Sequence, residues 1–319
     1  MARIATLTMN PAVDVTVEVD RVVPTQKLRC ASVRRDAGGG GINVARAIHR
    51  LGGDVVAAFP IGRSSGAWLA RRMRNEGVPS LTIPIDGDTR EDFTAAETST
   101  NQQYRFVLPG PLLTGSDWRA CLDAVATLDP APEFVVASGS LPEGAPDDTY
   151  ARVARIAAQR GARFALDSHG KALRLALGPN VWLVKPSLGE LRELTGEALA
   201  GEADQIRVCT ALVEAHKARL VALTLGDRGA VLVGEGRILR APALPIEPLS
   251  AIGAGDSFLA GMIWATAAGR DLESAFAYGV AAGSAALLHP GTDLCRAEDV
   301  ARLVRQVRIE TVEAGDAVG

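Results

Sequence analysis

The chain has 319 residues, of which 47% are hydrophobic and 22% charged; this ordinary globular composition excludes fibrous and disordered classes. The net charge of -3, from 34 basic and 37 acidic residues, gives no reason to expect a nucleic-acid partner. The four cysteines lie far apart, so their spacing fits neither a disulfide framework nor a zinc site.

Apolar segments are too short to cross a membrane. The two longest, 258–269 and 275–288, fall short of the ~20 residues that a span needs. The chain starts directly with strand-like sequence and lacks the pattern of a signal peptide. We therefore expect a soluble, cytoplasmic protein with no membrane partner.

The first third of the chain contains short extended segments that are polar on one side. They lie at 13–20, 28–35, 93–98 and 103–107. The first alternates strictly between apolar and polar residues, as a half-exposed strand does. Such a sheet needs a partner for its apolar face. We predict a small β-sheet lid, with strands drawn from about 13–35 and 88–108, and a homodimer formed through it.

Four consecutive glycines, Gly38 to Gly41, precede Ile42, Asn43 and a helical segment at 44–51. Glycines let the backbone approach a ligand closely, and a helix start offers free amide groups. The dinucleotide fingerprint G-x-G-x-x-G fails here, because Asn43 or Val44 stands at its last glycine, which argues against a Rossmann dehydrogenase. A flexible turn is the alternative interpretation.

From about Glu133 onward, short apolar runs alternate with helical segments, which is typical of βαβ units and a parallel sheet covered on both faces. Polar or glycine-containing pairs follow the predicted strands, at 138–139, 167–168, 185–186 and 226–227. They favour a site above the carboxyl edge of the sheet. The acidic tail, 310–319, is expected to be disordered.

A second glycine pair, Gly253-Ala254-Gly255, precedes Asp256 and opens an apolar helix that runs to about Gly269. Amides at such a helix start suit a phosphate. The helix dipole should keep Asp256 ionised, which makes it a weak base; phosphoryl transfer tolerates this because the acceptor proton leaves late. The alternative is an aspartate that only caps the helix. P-loop and protein-kinase motifs are absent.

These two motifs together resemble the PfkB branch of the ribokinase family of sugar kinases. Both signatures are present in the family's order, at 38–47 and 253–258, and the likeness covers about Arg3 to Arg308. Further runs at 7–14, 27–30, 103–110, 138–142 and 279–286 are similar to the ribokinase-type 6-phosphofructokinases. The resemblance implies one α/β domain over 1–309, a ribokinase-like three-layer αβα sandwich with a mostly parallel central sheet and the β-sheet lid.

The resemblance also implies a role for each site residue. Asp256 would be the base, with Gly253, Ala254, Gly255 and Lys185 at the transferring phosphate. The sugar phosphate would contact Asp256 and also Asp14, Lys27, Gly39, Asn43, Arg90, Arg105 and Ser140. The nucleotide would contact Lys185, Ser187, Thr224, Gly226, Gly229, Gly253, Gly255 and Ser284, and Glu190 would organise Mg²⁺, through water.

The implied reaction is transfer of the γ-phosphate of ATP to the 1-hydroxyl of fructose 6-phosphate, with Mg²⁺ as cofactor. Tagatose 6-phosphate and fructose 1-phosphate stay open as substrates, and so does a catalytically silent binding protein. Ser187 stands at the Asn of the family's Asn-x-x-Glu motif and has a shorter, single-donor side chain. His289 and Asp293 replace Asn and Arg beside the family's monovalent-cation site, so K⁺ dependence is open, and Val23 replaces a lid aromatic.

Overall fold

The computed structural model describes residues 3–100, 102–291 and 293–312, which form a large sheet of ten strands, a small sheet of four, and ten α-helices. The strands are β1 (Ile4–Leu7), β2 (Ala12–Val19), β3 (Ser32–Gly38), β4 (Val55–Gly62), β5 (Ser80–Ile85), β6 (Arg90–Glu97), β7 (Gln103–Phe106), β8 (Phe134–Ser138), β9 (Arg163–Asp167), β10 (Val181–Val184), β11 (Leu220–Thr224), β12 (Ala230–Gly234), β13 (Arg237–Ala241) and β14 (Glu310–Thr311). The helices are α1 (Gly40–Arg50), α2 (Arg63–Asn75), α3 (Gly115–Ala126), α4 (Thr149–Gln159), α5 (Gly170–Ala176), α6 (Leu188–Thr195), α7 (Glu202–Glu214), α8 (Ala254–Ala267), α9 (Leu272–Ala286) and α10 (Ala297–Leu303).

The large sheet has the order β14-β13-β12-β11-β10-β9-β8-β1-β4-β5. Neighbours from β5 to β11 are parallel, whereas β12, β13 and β14 join antiparallel. Successive strand residues point to opposite faces, so Val136 enters one core while Val135 and Ala137 enter the other. Helices α1, α2, α8, α9 and α10 cover the first face, and α3 to α7 the second. The predicted three-layer fold class is confirmed.

Four parallel strands end in polar residues at one edge of this sheet. Ser138 and Asp167 close β8 and β9 and are paired in register. Lys185 follows β10, and Thr224 closes β11. Because carboxyl ends of parallel strands meet at the same edge, these side chains border one space.

The small sheet, which we call the lid, has the order β3-β2-β6-β7. Strand β3 starts later than the sequence predicted, at Ser32 instead of residue 28, because Ser32 pairs with Glu18 near the end of β2. Its pairing with β2 then continues to Gly38. One face is apolar and partly exposed: Val33 is 65% and Phe106 56% accessible, whereas Val15 and Val17 of β2 are buried.

The prediction of a disordered tail is wrong for its first two residues. Glu310 and Thr311 form β14, which pairs with Arg240 and Leu239 of β13. An edge strand offers unpaired backbone groups that a short extended segment can satisfy. Residues 313–319 lie outside the described part. Within the described part, no helix has the length and apolar character needed to span a membrane.

Candidate active site

The glycine run joins the lid to α1. This helix begins at Gly40 instead of the predicted Val44, because the glycines allow its first turn to pack on neighbouring strand ends. A Cβ on Gly41 would lie 2.6 Å from the carbonyl oxygen of Leu7, and one on Gly40 would clash with the hydroxyl of Ser138. Gly39 has φ 103°, which favours glycine. The run is therefore a close-packed junction and not a flexible turn.

Asp256 lies in the first turn of α8 and faces α1. Gly253 occupies the capping position with φ 77° and gives the helix no side-chain cap. The Asp256 carboxylate instead accepts a hydrogen bond from Asn43 Nδ2 over 3.0 Å and one from Ser138 Oγ over 3.5 Å. The helix-capping interpretation is therefore wrong, and the carboxylate points into the space at the sheet edge.

Burial raises the pKa of Asp256 to about 7, and the negative charge of Asp167 acts in the same direction. The hydrogen bond from Asn43 and the charge of Lys185 oppose this rise. The expectation that the helix dipole alone would keep this carboxyl ionised is corrected, because removing the charge from water outweighs the dipole. A carboxylate with a pKa near neutrality is a stronger base than an ordinary one.

Lys185 connects the sheet edge to α8. Its Nζ lies 3.2 Å from Asp167 Oδ1, and its side chain is 4% exposed. A Cβ on Gly255 would lie 3.4 Å from Nζ, so the ammonium reaches the first turn of α8. Burial works against its charge, but the carboxylates of Asp167 and Glu190 raise the pKa of Lys185 and keep it cationic. Sequence reasoning did not name Asp167 as a site residue, although its position at a strand end was a signal.

The lid carries Asp14 in its middle, flanked in register by Asp36 on β3 and Asp92 on β6. Residues directly opposite each other share one face of a sheet. Burial raises the pKa of Asp14 to about 6 and Asp92 adds to this, while Arg105 and Arg90 lower it. The polar lid face therefore combines three carboxylates with the two cations Arg90 and Arg105.

The three predicted phosphate-binding cations differ in their surroundings. Arg90 already has partners within the protein. Its Nη1 lies 3.0 Å from Asp92, and its guanidinium also donates hydrogen bonds to the backbone carbonyls of Leu108 and Asn10. Arg105 is exposed on β7, opposite Thr94, and forms no ion pair with the described residues. Lys27 lies on the exposed loop between β2 and β3, and the described contacts do not bring it to the site.

Ser140 lies on the loop after β8, close to the loop after β1. Its hydroxyl accepts a hydrogen bond from Asn10 Nδ2 over 3.0 Å, and its carbonyl oxygen accepts one from the Tyr150 hydroxyl. Asn10 was not predicted as a site residue, although it lies in the run 7–14 that resembles the family. This contact holds the loop after β8 against the loop after β1.

Ser187 and Glu190 form a capping box at the start of α6. Ser187 Oγ accepts from the Glu190 amide over 3.2 Å, and Glu190 Oε2 accepts from the Ser187 amide over 2.7 Å. Serine is as good an N-cap as asparagine, so this departure preserves the helix start. In residues 3–100, 102–291 and 293–312, no three His, Cys, Asp or Glu side chains form a metal-binding group.

The other predicted nucleotide contacts lie around the end of β11 and on α9. Thr224 forms an isolated parallel β-bridge with Ser187. The short 3-10 turn that follows begins at Gly226 and is followed by Gly229. Gly229 has φ 93°, and a Cβ there would clash with the carbonyl oxygen of Ala241. Ser284 is half-buried on α9, which packs against α8. The structure thus places Thr224 beside Ser187 at the sheet edge and Ser284 on the helix that packs against α8.

Comparison with known proteins identifies the family. The model of the pfkB family of carbohydrate kinases matches residues 7–299. The chain belongs to this family.

Two relatives and one solved enzyme show how far the likeness extends. The ATP-dependent 6-phosphofructokinase isozyme 2 of Mycobacterium tuberculosis is 43% identical over 98% of this chain and 92% of that protein. The 1-phosphofructokinase of Xanthomonas campestris is 34% identical over 98% and 92%. Crystalline phosphofructokinase-2 from Escherichia coli in complex with potassium has a TM-score of 0.91 and 36% identity, covering 96% of this chain and 99% of that one. The same enzyme also has a tetrameric inhibited form.

The predicted resemblance to PfkB kinases and the assignment as a carbohydrate kinase are therefore confirmed. Two residues that depart from the family's pattern make polar contacts with charged neighbours. His289 Nε2 lies 2.9 Å from Asp299 Oδ2, and Asp293 pairs with Arg50 over 3.1 Å and with Arg296 over 2.8 Å. Val23 is half-buried on the loop after β2.

Proposed function

We propose that this pfkB-family kinase transfers the γ-phosphate of ATP to the 1-hydroxyl of fructose 6-phosphate. The observation that carries the proposal is the position of Asp256, whose carboxylate lies between Asn43 and Ser138 and one turn from the glycine-lined start of α8. A hydroxyl that hydrogen-bonds to Asp256 is then next to the amides that would hold the phosphate. The names of the M. tuberculosis and E. coli relatives favour the 6-phosphate substrate.

The chemical step needs a base and charge neutralisation. Asp256 takes the proton of the sugar's acceptor hydroxyl while the hydroxyl oxygen bonds to the γ-phosphorus of ATP. The bond from that phosphorus to the bridging oxygen of the β-phosphate breaks, and ADP leaves. The amides of Gly253 to Gly255 and the ammonium of Lys185 offset the negative charge of the transferring group. Asn43 holds the carboxylate of Asp256 in place.

Magnesium is part of the proposal, and K⁺ dependence, which the sequence left open, is tested beside it. Mg²⁺ favours water and phosphate oxygens with one or two carboxylates, and Glu190 has one oxygen engaged in the capping box and one without a hydrogen bond in the described part. Glu190 would therefore hold a hydrated ion. Magnesium supplies charge neutralisation at the β- and γ-phosphates when ATP binds. We expect ADP release to require MgCl₂, and added KCl tests the cation that the E. coli structure contains.

A panel of sugars tests the substrate. We expect kcat/KM for fructose 6-phosphate to exceed that for tagatose 6-phosphate and fructose 1-phosphate by about tenfold or more, and ribose to be poorer still. Arg105→Gln should raise KM for fructose 6-phosphate about tenfold, because a guanidinium can bind phosphate with two hydrogen bonds. Arg155→Gln is the control, since Arg155 is exposed on α4. ADP release measures all of these rates.

Two results would change the assignment. A preference for ribose would remove the phosphate-binding role of Arg105. No turnover with any sugar would leave a silent sugar-phosphate-binding protein, the second hypothesis from the sequence.

We also propose a homodimer through the apolar lid face. Val33, Phe93 and Phe106 lie on this face, and the two phenylalanine rings are 6.1 Å apart. Exposed apolar patches of this kind mark interfaces. Sedimentation velocity should show a dimer or a dimer of dimers for the wild type and a monomer for Phe106→Asp. Leu175→Asp, at an exposed leucine on α5, should keep the wild-type mass; a monomeric wild type would refute the interface.

A further inference from the structure

Arg46 is a buried cation inside the helix that follows the glycine run. Its side chain is 1% exposed and is one of the largest that are fully buried in the described part of the chain. None of the assigned roles includes it. Burying a guanidinium is costly unless every donor finds a partner, so the partners of Arg46 indicate what it does.

All the polar groups of Arg46 are engaged on two sides. On one side, Nε and Nη2 donate to the two carboxylate oxygens of Glu76, over 2.7 Å and 2.9 Å. On the other, Nη1 donates to the carbonyl oxygen of Ala37 over 2.9 Å and lies 3.5 Å from Asn43 Oδ1. The salt bridge thus holds the guanidinium in place, and its remaining nitrogen, Nη1, faces the junction of β3 and α1.

This arrangement decides which way the Asn43 amide points. An amide has an acceptor oxygen and a donor nitrogen, whereas a guanidinium can only donate. Oδ1 therefore faces Arg46, and Nδ2 faces Asp256, to which it donates over 3.0 Å. In the reverse orientation, two donors would meet at Arg46, and the amide oxygen would oppose the carboxylate of Asp256.

We propose that Arg46, held by Glu76, is a positioning residue that orients the Asn43 amide toward Asp256. The inference rests on the proposed function, because the contact matters for activity only if Asp256 is the base. Neutralisation of Glu76 does not by itself require Arg46. Arg72 also reaches Glu76, over 2.7 Å, and Arg50 lies 3.9 Å from it. Arg72 makes no contact with Asn43, so it provides a matched control.

The carboxyl group of Asp256 reports on this orientation. Asp167 and Asp14 face it with negative charge, Lys185 with positive charge, and Asn43 with its hydrogen bond. The bond from Asn43 lowers the pKa of Asp256. Loss of that bond should therefore move the midpoint of titration upward, while the three charged neighbours stay unchanged.

The experiment follows the Asp256 carboxyl by ¹³C NMR in the ligand-free, aspartate-labelled protein, with Asp256→Asn to assign the signal. Arg46→Lys keeps the charge beside Glu76 but lacks the planar fork that reaches both sides. We expect its Asp256 midpoint to rise by about one pH unit, and Arg72→Lys to leave the midpoint unchanged. Adding Arg46→Lys to Asn43→Ala should shift the midpoint no further than Asn43→Ala alone.

Kinetics give the second readout. The acid limb of kcat/KM should move with the NMR midpoint, and kcat/KM should fall about tenfold in Arg46→Lys. If Arg46→Lys fails to fold, Glu76→Gln keeps Arg46 but loosens it and should shift the midpoint in the same direction by less. A folded Arg46→Lys with a wild-type midpoint, or in that case an unshifted Glu76→Gln, overturns the inference. A shifted midpoint without turnover of any sugar would refute the proposed function and leave the positioning role intact.

Discussion

Asp256→Asn is expected to lower kcat for fructose 6-phosphate by about 10³-fold, within the range found when a general base is removed. The amide matches the carboxylate in shape, so Ser138 and the start of α8 keep their neighbours, but it cannot accept the acceptor's proton. Loss of the buried negative charge also relieves repulsion with Asp167. The variant should therefore fold but lack activity. A thermal melt measures its folding, and ADP release measures its catalysis.

Asp271→Asn is the matched control, because Asp271 is also at the start of a helix. Its carboxylate accepts a hydrogen bond from the Ser274 amide over 2.7 Å and caps α9. Because asparagine caps a helix as well as aspartate does, this variant should keep both the wild-type melting temperature and kcat. If Asp256→Asn retained kcat within about twofold of the wild type, the base would lie elsewhere.

The pH dependence has a definite sign. The base works as the anion, and its pKa is raised to about 7 by burial. In the wild type, kcat/KM should therefore fall as the pH drops through about 7, since kcat/KM reports groups of the free enzyme. The residual activity of Asp256→Asn should lack this acid limb.

Lys185→Met is expected to give the second-largest loss, about 10²- to 10³-fold in kcat/KM for ATP. The methionine fills much of the same space but removes the ammonium that reaches the first turn of α8. The control is Lys171→Met, because Lys171 is 70% exposed and pairs with Asp147 on the surface. That variant should behave like the wild type.

The same substitution leaves Asp167 buried without its cation. Removing one partner of a buried pair costs about 3–5 kcal/mol of unfolding free energy. Part of this cost is relieved if Asp167 takes up a proton, since burial raises its pKa and Lys185 is the main group that opposes the rise. Kinetics must therefore be measured below the midpoint of the variant's melt. A folded Lys185→Met with normal kcat/KM for ATP would remove this lysine from the phosphate site.

Local patterns in the sequence were sufficient for much of the fold. The apolar runs at 134–137 and 220–225 became β8 and β11, and their polar ends meet at the sheet edge as parallel pairing requires. The alternation at 13–20 became β2, in the middle of the lid. Residue types at a motif, as at Asp256, also indicated which element would carry the chemistry.

Features that depend on contacts between distant parts of the chain were not predictable. The raised pKa of Asp256 comes from burial and from Asp167, which belongs to another strand. Helix α1 starts at Gly40 because Leu7 and Ser138 leave room only for glycine. The role of Arg46 depends on Glu76 at the end of α2, and nothing in the local pattern distinguishes this arginine from an exposed one.

The most direct test of the central claim is the identity of the product. ³¹P NMR of a reaction with ATP, MgCl₂ and fructose 6-phosphate should show ADP and a second phosphate ester on carbon 1 of the sugar, formed in equal amounts. With Asp256→Asn, both signals should be absent on the same time scale. Phosphate transfer to fructose 1-phosphate or ribose in preference to fructose 6-phosphate, or ADP formation without a sugar bisphosphate, would contradict the account.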